Sequence, residues 1–308
     1  MKQPKIKWYV IVNPVAGFGK ALKKWKALSV LLQQEFELEM AFTERDRHAI
    51  VLTKEAVEAG HTNILAVGGD GTLHQVVNGM MLQHQKASHE ISIAFYSCGT
   101  GNDWVRPFAF PKKTKDFVEL LRHHKTVFHD VGKVSAYNEK KPCIEYFNNI
   151  AGVGFDAYVI QQTKNKTTGQ FSYLFGMLKS LFSYRCNHLR VIINGEKHEA
   201  ISYLTLAAIN KYAGGGMKLA PNAINNDGLF DVILVREMSK WEVVKHTSKL
   251  FSGKYLDLKH VSVFRTSFFE IEALENAEYV YCEADGELIG AGPFKFTIIP
   301  NALKIVVP

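Results

Sequence analysis

Absences constrain this chain first. Its 308 residues include only four cysteines, Cys98, Cys143, Cys186 and Cys282, far apart and without a C-x-x-C pair. That argues against a zinc site and points to a reducing, cytosolic compartment. No uninterrupted apolar run approaches the roughly 20 residues a membrane-spanning helix needs, so any membrane contact is expected to be peripheral. The opening "MKQPKIKWYVIVNPVAG" is charged but broken by Asn13 and Pro14, which makes it a poor signal peptide. Repeats of solenoid period, low-complexity tracts and the H-E-x-x-H pair of zinc proteases are also missing.

The common nucleotide motifs fail as well. A Walker A loop needs G-x-x-x-x-G-K-[ST]; in "NPVAGFGKA" Pro14 replaces the first glycine and Ala21 the final Ser/Thr. The G-x-G-x-x-G fingerprint fails at His74 in "GDGTLH" and at Trp104 in "GTGNDW". The H-R-D and D-F-G signatures of protein kinases do not occur.

What is present is the composition of a packed soluble protein, 47% hydrophobic and 22% charged, which excludes disordered and fibrous classes. A net charge of +7 suits an anionic partner such as a phosphate compound, a nucleic acid or an acidic lipid surface, and equally suits a plain lysine-rich surface.

The first part of the chain alternates apolar strands with helical patterns. Strands are expected at 6–12, 36–43, 63–69 and 91–97. Helices follow the first strand through Leu32, span about 46–59, and carry Leu73, Val76, Val77, Met80 and Met81 on one face. This pattern predicts a mostly parallel sheet covered on both faces, with ligands at the carboxyl ends of its strands. Those ends read "NPVAGFGK", "FTERDRHA", "VGGDGTLH" and "CGTGND", three of them glycine-rich. Beyond about residue 130 the pattern changes to strands at 188–210, 228–238, 262–274, 277–288 and 294–300, joined by turns such as "ING", "NDG" and "ADG". Helical stretches at 169–184 and 239–251 interrupt them. The expected class is therefore α/β: a mostly parallel α/β domain over 1–130, then a β-rich, sandwich-like domain over 131–308 whose last strand is free to return to the first domain.

Four stretches carry candidate chemistry. In the strand-to-helix turn at 68–72, free backbone N–H groups and the helix dipole attract phosphate. Asp70 there either helps organise a Mg²⁺-bound polyphosphate or caps a helix beginning near Thr72. "SCGTGND" (97–103) offers Thr100, Asn102 and Asp103, or is a plain turn. "AGGGMKLAPNAINNDGLFDV" (213–232) places Asp227 either on a metal or in an Asp-Gly turn. "CEADGELIG" (282–290) supplies Glu283, Asp285 and Glu287, one of which could serve as a base, or forms a solvated acidic hairpin. The aromatic stretch 171–184 reads as a core helix or as a lipid-facing element.

Taken in order, "NPVAGFGKA", "VGGDGTLHQVVNG", "GTGNDWVRPF", "DVGKV", "NNIAGVGFDAYV", "GGGMKLAPNAINNDGLFDV" and "ADGEL" resemble the diacylglycerol kinase catalytic-domain family, which includes bacterial soluble lipid kinases and sphingosine kinases. The resemblance spans nearly the whole chain. It implies an ATP-binding α/β domain, a lipid-binding β-sandwich and Mg²⁺-dependent phosphoryl transfer to a lipid hydroxyl, with diacylglycerol giving phosphatidic acid. Carried over, Asn13, Pro14, Gly17, Thr43, Gly68, Gly69, Asp70, Gly71, Thr72, Leu73, Thr100 and Asn102 would hold the nucleotide. Asp70, Asp103 and Asp130 would form an acidic network linked to magnesium. Asp227, with the carbonyls of Ile224 and Leu229, would hold a structural metal. Glu287, ahead of Asp285, would be the base. Arg47 departs from the family, which usually has glycine there. The implied partner is a lipid substrate presented by a membrane surface, reached from the cytoplasm and its inner face; nucleic acid is not among the partners, and self-association is left open. An NAD kinase-like activity and a non-catalytic lipid- or nucleotide-binding protein are the alternatives.

Overall fold

A computed structural model of the chain describes residues 5–99, 101–163, 180–275 and 280–308. The chain forms two compact units, Met1–His129 together with Asn301–Pro308, and Asp130–Pro300.

The first unit alternates strand and helix: β1 (Lys7–Val12), α1 (Lys20–Glu35), β2 (Glu37–Phe42), α2 (His48–Glu58), β3 (Asn63–Gly68), α3 (Asp70–Leu82), β4 (Ser92–Ser97) and α4 (Thr114–His123). β1 pairs in parallel with β2 and β3, and β3 with β4. Lys304 and Ile305 at the end of the chain add a further parallel partner beside Ser92 and Ile93. β1, β3 and β4 are buried almost throughout, as parallel strands covered on both faces must be. β2 lies at the edge and keeps its glutamates in solvent. α1 buries Ala21, Trp25, Leu28 and Leu32 along one stripe. α3 crosses α2 so closely that a Cβ on Gly79 would fall 2.5 Å from Thr53 Cβ.

In the loop before α2, Arg47 takes φ 56° and ψ 12°, the left-handed conformation that glycine adopts freely. The turn is thus kept without the glycine, at a strain of roughly 1–2 kcal/mol. An Arg47 N–H bond to Asp46 Oδ1 (2.9 Å) offsets part of it.

The second unit is β-rich and antiparallel. Its strands include β5 (Thr126–Asn138, from Asp130 onward), β6 (Lys141–Phe147), β7 (Ile150–Gly154), β8 (Asn187–Ile193), β9 (Glu196–Ala208), β10 (Phe230–Arg236), β11 (Val261–Thr266), β12 (Phe268–Ala273), β13 (Tyr281–Ala284) and β14 (Glu287–Val306, to Pro300). One run of neighbours is β11-β10-β9-β7-β13-β14, with β8 and β12 bridging β9 to β14. Val134, Phe147, Val191, Phe230, Phe269 and Phe296 belong to its principal core, where the Phe269 and Phe296 rings stack at 4.5 Å. Helix α5 (Phe155–Thr163) follows β7 directly, and α6 (Lys240–His246) starts from a capping box of Ser239 and Glu242. The "ADG" turn joins β13 to β14 with Asp285 at φ 51° and Gly286 at φ 89°, the paired left-handed residues of a tight hairpin. Of the helix expected over 169–184, residues 180–183 are helical and the earlier ones lie outside the described residues.

Candidate active site

Three glycine turns meet at the carboxyl ends of β1, β3 and β4. Asn13 N–H donates to Val67 O (2.9 Å), and Asn13 Nδ2 to Thr72 Oγ1 (3.2 Å), tying the first turn to the start of α3. Cys98 N–H donates to Gly68 O. Two approaches are too close for any side chain. A Cβ on Gly17, at φ +59°, would lie 2.2 Å from Cys98 O, and one on Gly99 would lie 2.9 Å from Gly69 Cα. Thr43 stands beside the first turn, its N–H bonded to Val12 O (2.9 Å). The predicted residues Asn13, Pro14, Gly17, Thr43, Gly68, Gly69, Gly71 and Thr72 thus lie in or beside these turns. Leu73 is buried in the fold. Asn102 closes its own turn, with Nδ2 donating to Gly99 O (2.9 Å) and Oδ1 accepting from Ser97 Oγ. Thr100 lies outside the described residues.

Asp70 is the first residue of α3, whose N-cap is Gly69. The capping alternative therefore does not describe it: the helix begins two residues before Thr72. Asp70 Oδ2 instead accepts the Asp103 N–H (3.3 Å) across 33 residues of sequence. Asp103 is buried, and its Oδ1 is bonded by Arg106 Nε (2.9 Å). A Cβ on Gly101 would come within 3.2 Å of Asp70 Oδ2 and 3.8 Å of Asp103 Oδ2, so glycine keeps a cradle open over both carboxylates. Hard carboxylate oxygens beside the N–H groups of a helix start suit Mg²⁺, and this donor set fits that ion.

In the second unit the β13–β14 hairpin separates the roles of its acids. Asp285 Oδ2 accepts from Asn148 N–H (2.9 Å), and Oδ1 from the N–H groups of Asn149 (3.0 Å) and Ile150 (3.1 Å). Three charge-assisted bonds make Asp285 a clamp on the start of β7. Glu287, two residues on, is partly exposed.

The residue sequence reasoning missed is Asp156. Glu283 on β13 sits opposite Gly152 on β7, and a Cβ at Gly152 would fall 1.4 Å from Asp156 Oδ2. Glycine there leaves room for the Asp156 carboxyl against the strand that pairs with Glu283. Asp156 Oδ2 is buried without a hydrogen-bond partner, while Oδ1 accepts the Ala157 N–H (2.8 Å). Glu283 Oε2 also accepts the Gly286 N–H (2.8 Å), which carries the pair's influence into the hairpin turn. Burial pushes both carboxyls above the ordinary range, and the Asp156 charge pushes Glu283 further. Asp156 lies in the quoted "GVGFDA" stretch, but nothing local signals its partner 127 positions later.

These two raised carboxyls are expected to make stability pH-dependent. Carboxyls raised in the folded state bind protons on folding, so their stabilisation is complete below the unfolded values of about 4. It is lost as pH rises through the folded values. We expect the melting temperature to fall between pH 5 and 8, and the fall to be shallower in Glu283→Gln, whose amide keeps the Gly286 bond and donates to Asp156. Melting curves across that range check this; an unchanged slope would show that Glu283 does not titrate in that range.

The remaining acids lie in the second unit. Asp130 Oδ2 accepts the Gly228 N–H (2.7 Å), and its N–H donates to Asn225 O (2.8 Å). Asp227 accepts the Leu229 N–H at Oδ1 (3.0 Å), and its Oδ2 is paired with the Arg265 guanidinium. Arg265 also reaches Asp231 (3.3 Å). The counter-charge of Asp227 is therefore an arginine, and a carboxylate so engaged fits a structural divalent ion poorly. Among the described residues no three His, Cys, Asp or Glu side chains gather at a metal-binding spacing. Ile224 is half-exposed, in the same segment.

Comparison with known proteins follows the same division. Residues 7–134 match the diacylglycerol kinase catalytic domain, and residues 149–307 match the YegS C-terminal NAD kinase beta sandwich-like domain. The chain is 28% identical to the YtlR protein of Bacillus subtilis, whose name assigns it to the lipid kinases, over 97% of this chain and 98% of that one. It is 26% identical to a diacylglycerol kinase of Mycobacterium tuberculosis, over 97% and 94%. A crystal structure of a diacylglycerol kinase from Bacillus anthracis has the same fold, with a TM-score of 0.74 at 19% identity, covering 100% of this chain and 98% of that one.

Proposed function

The chain belongs to the diacylglycerol kinase catalytic-domain family, with a YegS-type second domain, and from that premise we propose that it transfers the γ-phosphate of ATP to a lipid hydroxyl, diacylglycerol being the first acceptor to test. The observation that carries this reading is the meeting of three glycine turns around Asp70 and Asp103 at the carboxyl ends of a parallel sheet. Phosphoryl transfer asks a protein mainly for positioning and charge neutralisation, and this cradle supplies both.

In this reading the backbone N–H groups of the turns and the N-terminus of α3 seat the polyphosphate. Asp70 and Asp103 would hold Mg²⁺, which when bound offsets phosphate charge. Glu287 takes the proton of the lipid hydroxyl while its oxygen bonds to the γ-phosphorus, and the bridging oxygen leaves with ADP. Asp285 holds the hairpin that carries Glu287.

The test is transfer of labelled γ-phosphate from Mg²⁺-ATP to detergent-dispersed diacylglycerol and to a total bacterial lipid extract, with NAD in parallel. A labelled lipid is the expected product. Label in NADP alone would move the protein to the NAD kinase-like alternative, and label in no acceptor would favour a binding protein.

A further inference from the structure

The chain has four tryptophans, and three are shut away: Trp8, Trp25 and Trp104 are at most 3% exposed. Trp241 is 74% exposed. It stands on α6 beside Phe182, itself 51% exposed, with ring centroids 6.0 Å apart at 73°. Lys240 Nζ donates to Phe182 O, which fastens the two segments together. Val244 and Lys245, three and four residues beyond Trp241, share its helix face, and both are exposed. The inner side of α6 is anchored where Val243 packs on Leu181, Tyr184 and Tyr203. The aromatic pair is therefore held outward by a fold that has already satisfied the opposite face.

Charge selects the occupant. From Ser239 to Gly253 the chain carries Lys240, Lys245 and Lys249 against one acid, Glu242, and Arg185 lies three residues beyond Phe182. Tryptophan beside lysine and arginine is the composition of an element lying at a lipid headgroup boundary. A second copy of the chain would set the same lysines against each other, and the overall charge of +7 adds to that repulsion.

We propose that Trp241 and Phe182, rimmed by Lys240, Lys245 and Arg185, form the surface by which this protein docks on an anionic lipid bilayer. The choice of a bilayer rests on the lipid-kinase reading; the geometry of the patch does not. No helix among the described residues is long and apolar enough to cross a membrane, so attachment through this patch is interfacial. The indole and phenyl rings enter the headgroup boundary, and the cations remain at the phosphate level.

Trp241 is its own probe, because the other three indoles are already buried. Titration with phosphatidylglycerol vesicles, without ATP, is expected to shift tryptophan emission to shorter wavelength; phosphatidylcholine vesicles are expected to leave it unchanged. Trp241→Ala should abolish the shift and weaken co-sedimentation about tenfold or more. Lys245→Ala should weaken it roughly fivefold, and high salt should weaken wild type in the same way. Absence of any shift overturns the proposal, as does an equal shift on both lipids. A shift that grows with protein concentration without vesicles overturns it in favour of self-association. Transfer to detergent-dispersed diacylglycerol separates the two readings. Vesicle binding without transfer would leave the docking surface and remove the kinase, whereas transfer without binding would do the reverse.

Discussion

Asp70→Ala is expected to remove phosphoryl transfer while leaving the fold intact. The carboxylate lies at the first position of α3, accepts the Asp103 N–H, and faces a cradle that Gly101 keeps open. Losing preorganised charge stabilisation at such a point costs roughly 10²–10³-fold in turnover or more. The stability cost is small by comparison, since an acid in the first turn of a helix contributes only about 0.3–1 kcal/mol through the dipole. Asp70→Asn sharpens the experiment, because it retains a hydrogen-bond acceptor for Asp103 N–H and loses the charge. Turnover and the KM for ATP, measured beside thermal melting, should show both variants folded and both inactive. An active Asp70→Asn would mean that Asp70 only fastens the two turns together.

The second large effect is expected at Glu287. Glu287→Gln should lower turnover about 10²–10⁴-fold, the range for loss of a general base, with the melting temperature and the KM for lipid little changed. Asp285→Asn should behave differently. Its carboxylate takes three backbone N–H bonds from residues 135 to 137 positions away, and an amide offers one acceptor oxygen and turns an N–H₂ toward donors. A loss of about 2–3 kcal/mol is expected, the scale of leaving buried polar groups unsatisfied. The two variants therefore part on different readouts, Glu287 on rate and Asp285 on melting temperature. If Glu287→Gln keeps its rate and Asp285→Asn loses rate alone, the assignment of base and clamp is reversed.

The parallel sheet and its glycine turns were legible in the sequence because their signals are local. "KWYVIV", "NILAVG" and "SIAFYS" are apolar on both faces, and each runs straight into a turn. Once such strands are parallel, all their carboxyl ends lie on one side, so three glycine turns far apart in the chain had to come together. The hairpin at "ADG" was legible for the same reason, since Asp-Gly is among the residue pairs that adopt consecutive left-handed conformations with ease.

What the sequence alone determined is the alternation of elements and the glycine turns at the carboxyl ends of the parallel strands. Only the tertiary structure decided what each acid does. Asp70 meets Asp103, Asp285 is clamped by the start of β7, the Asp156 charge acts on buried Glu283, and Asp227 is neutralised by Arg265. A carboxylate's role is set by its desolvation and by the donors and charges within a few ångströms, and here those come from 33 to 137 residues away. The same holds for Trp241. An indole in an amphipathic stretch reads as core until the packing of Val243 shows which face of α6 is already filled. Backbone conformation follows neighbours in the chain, while the protonation and exposure of a side chain follow neighbours in space.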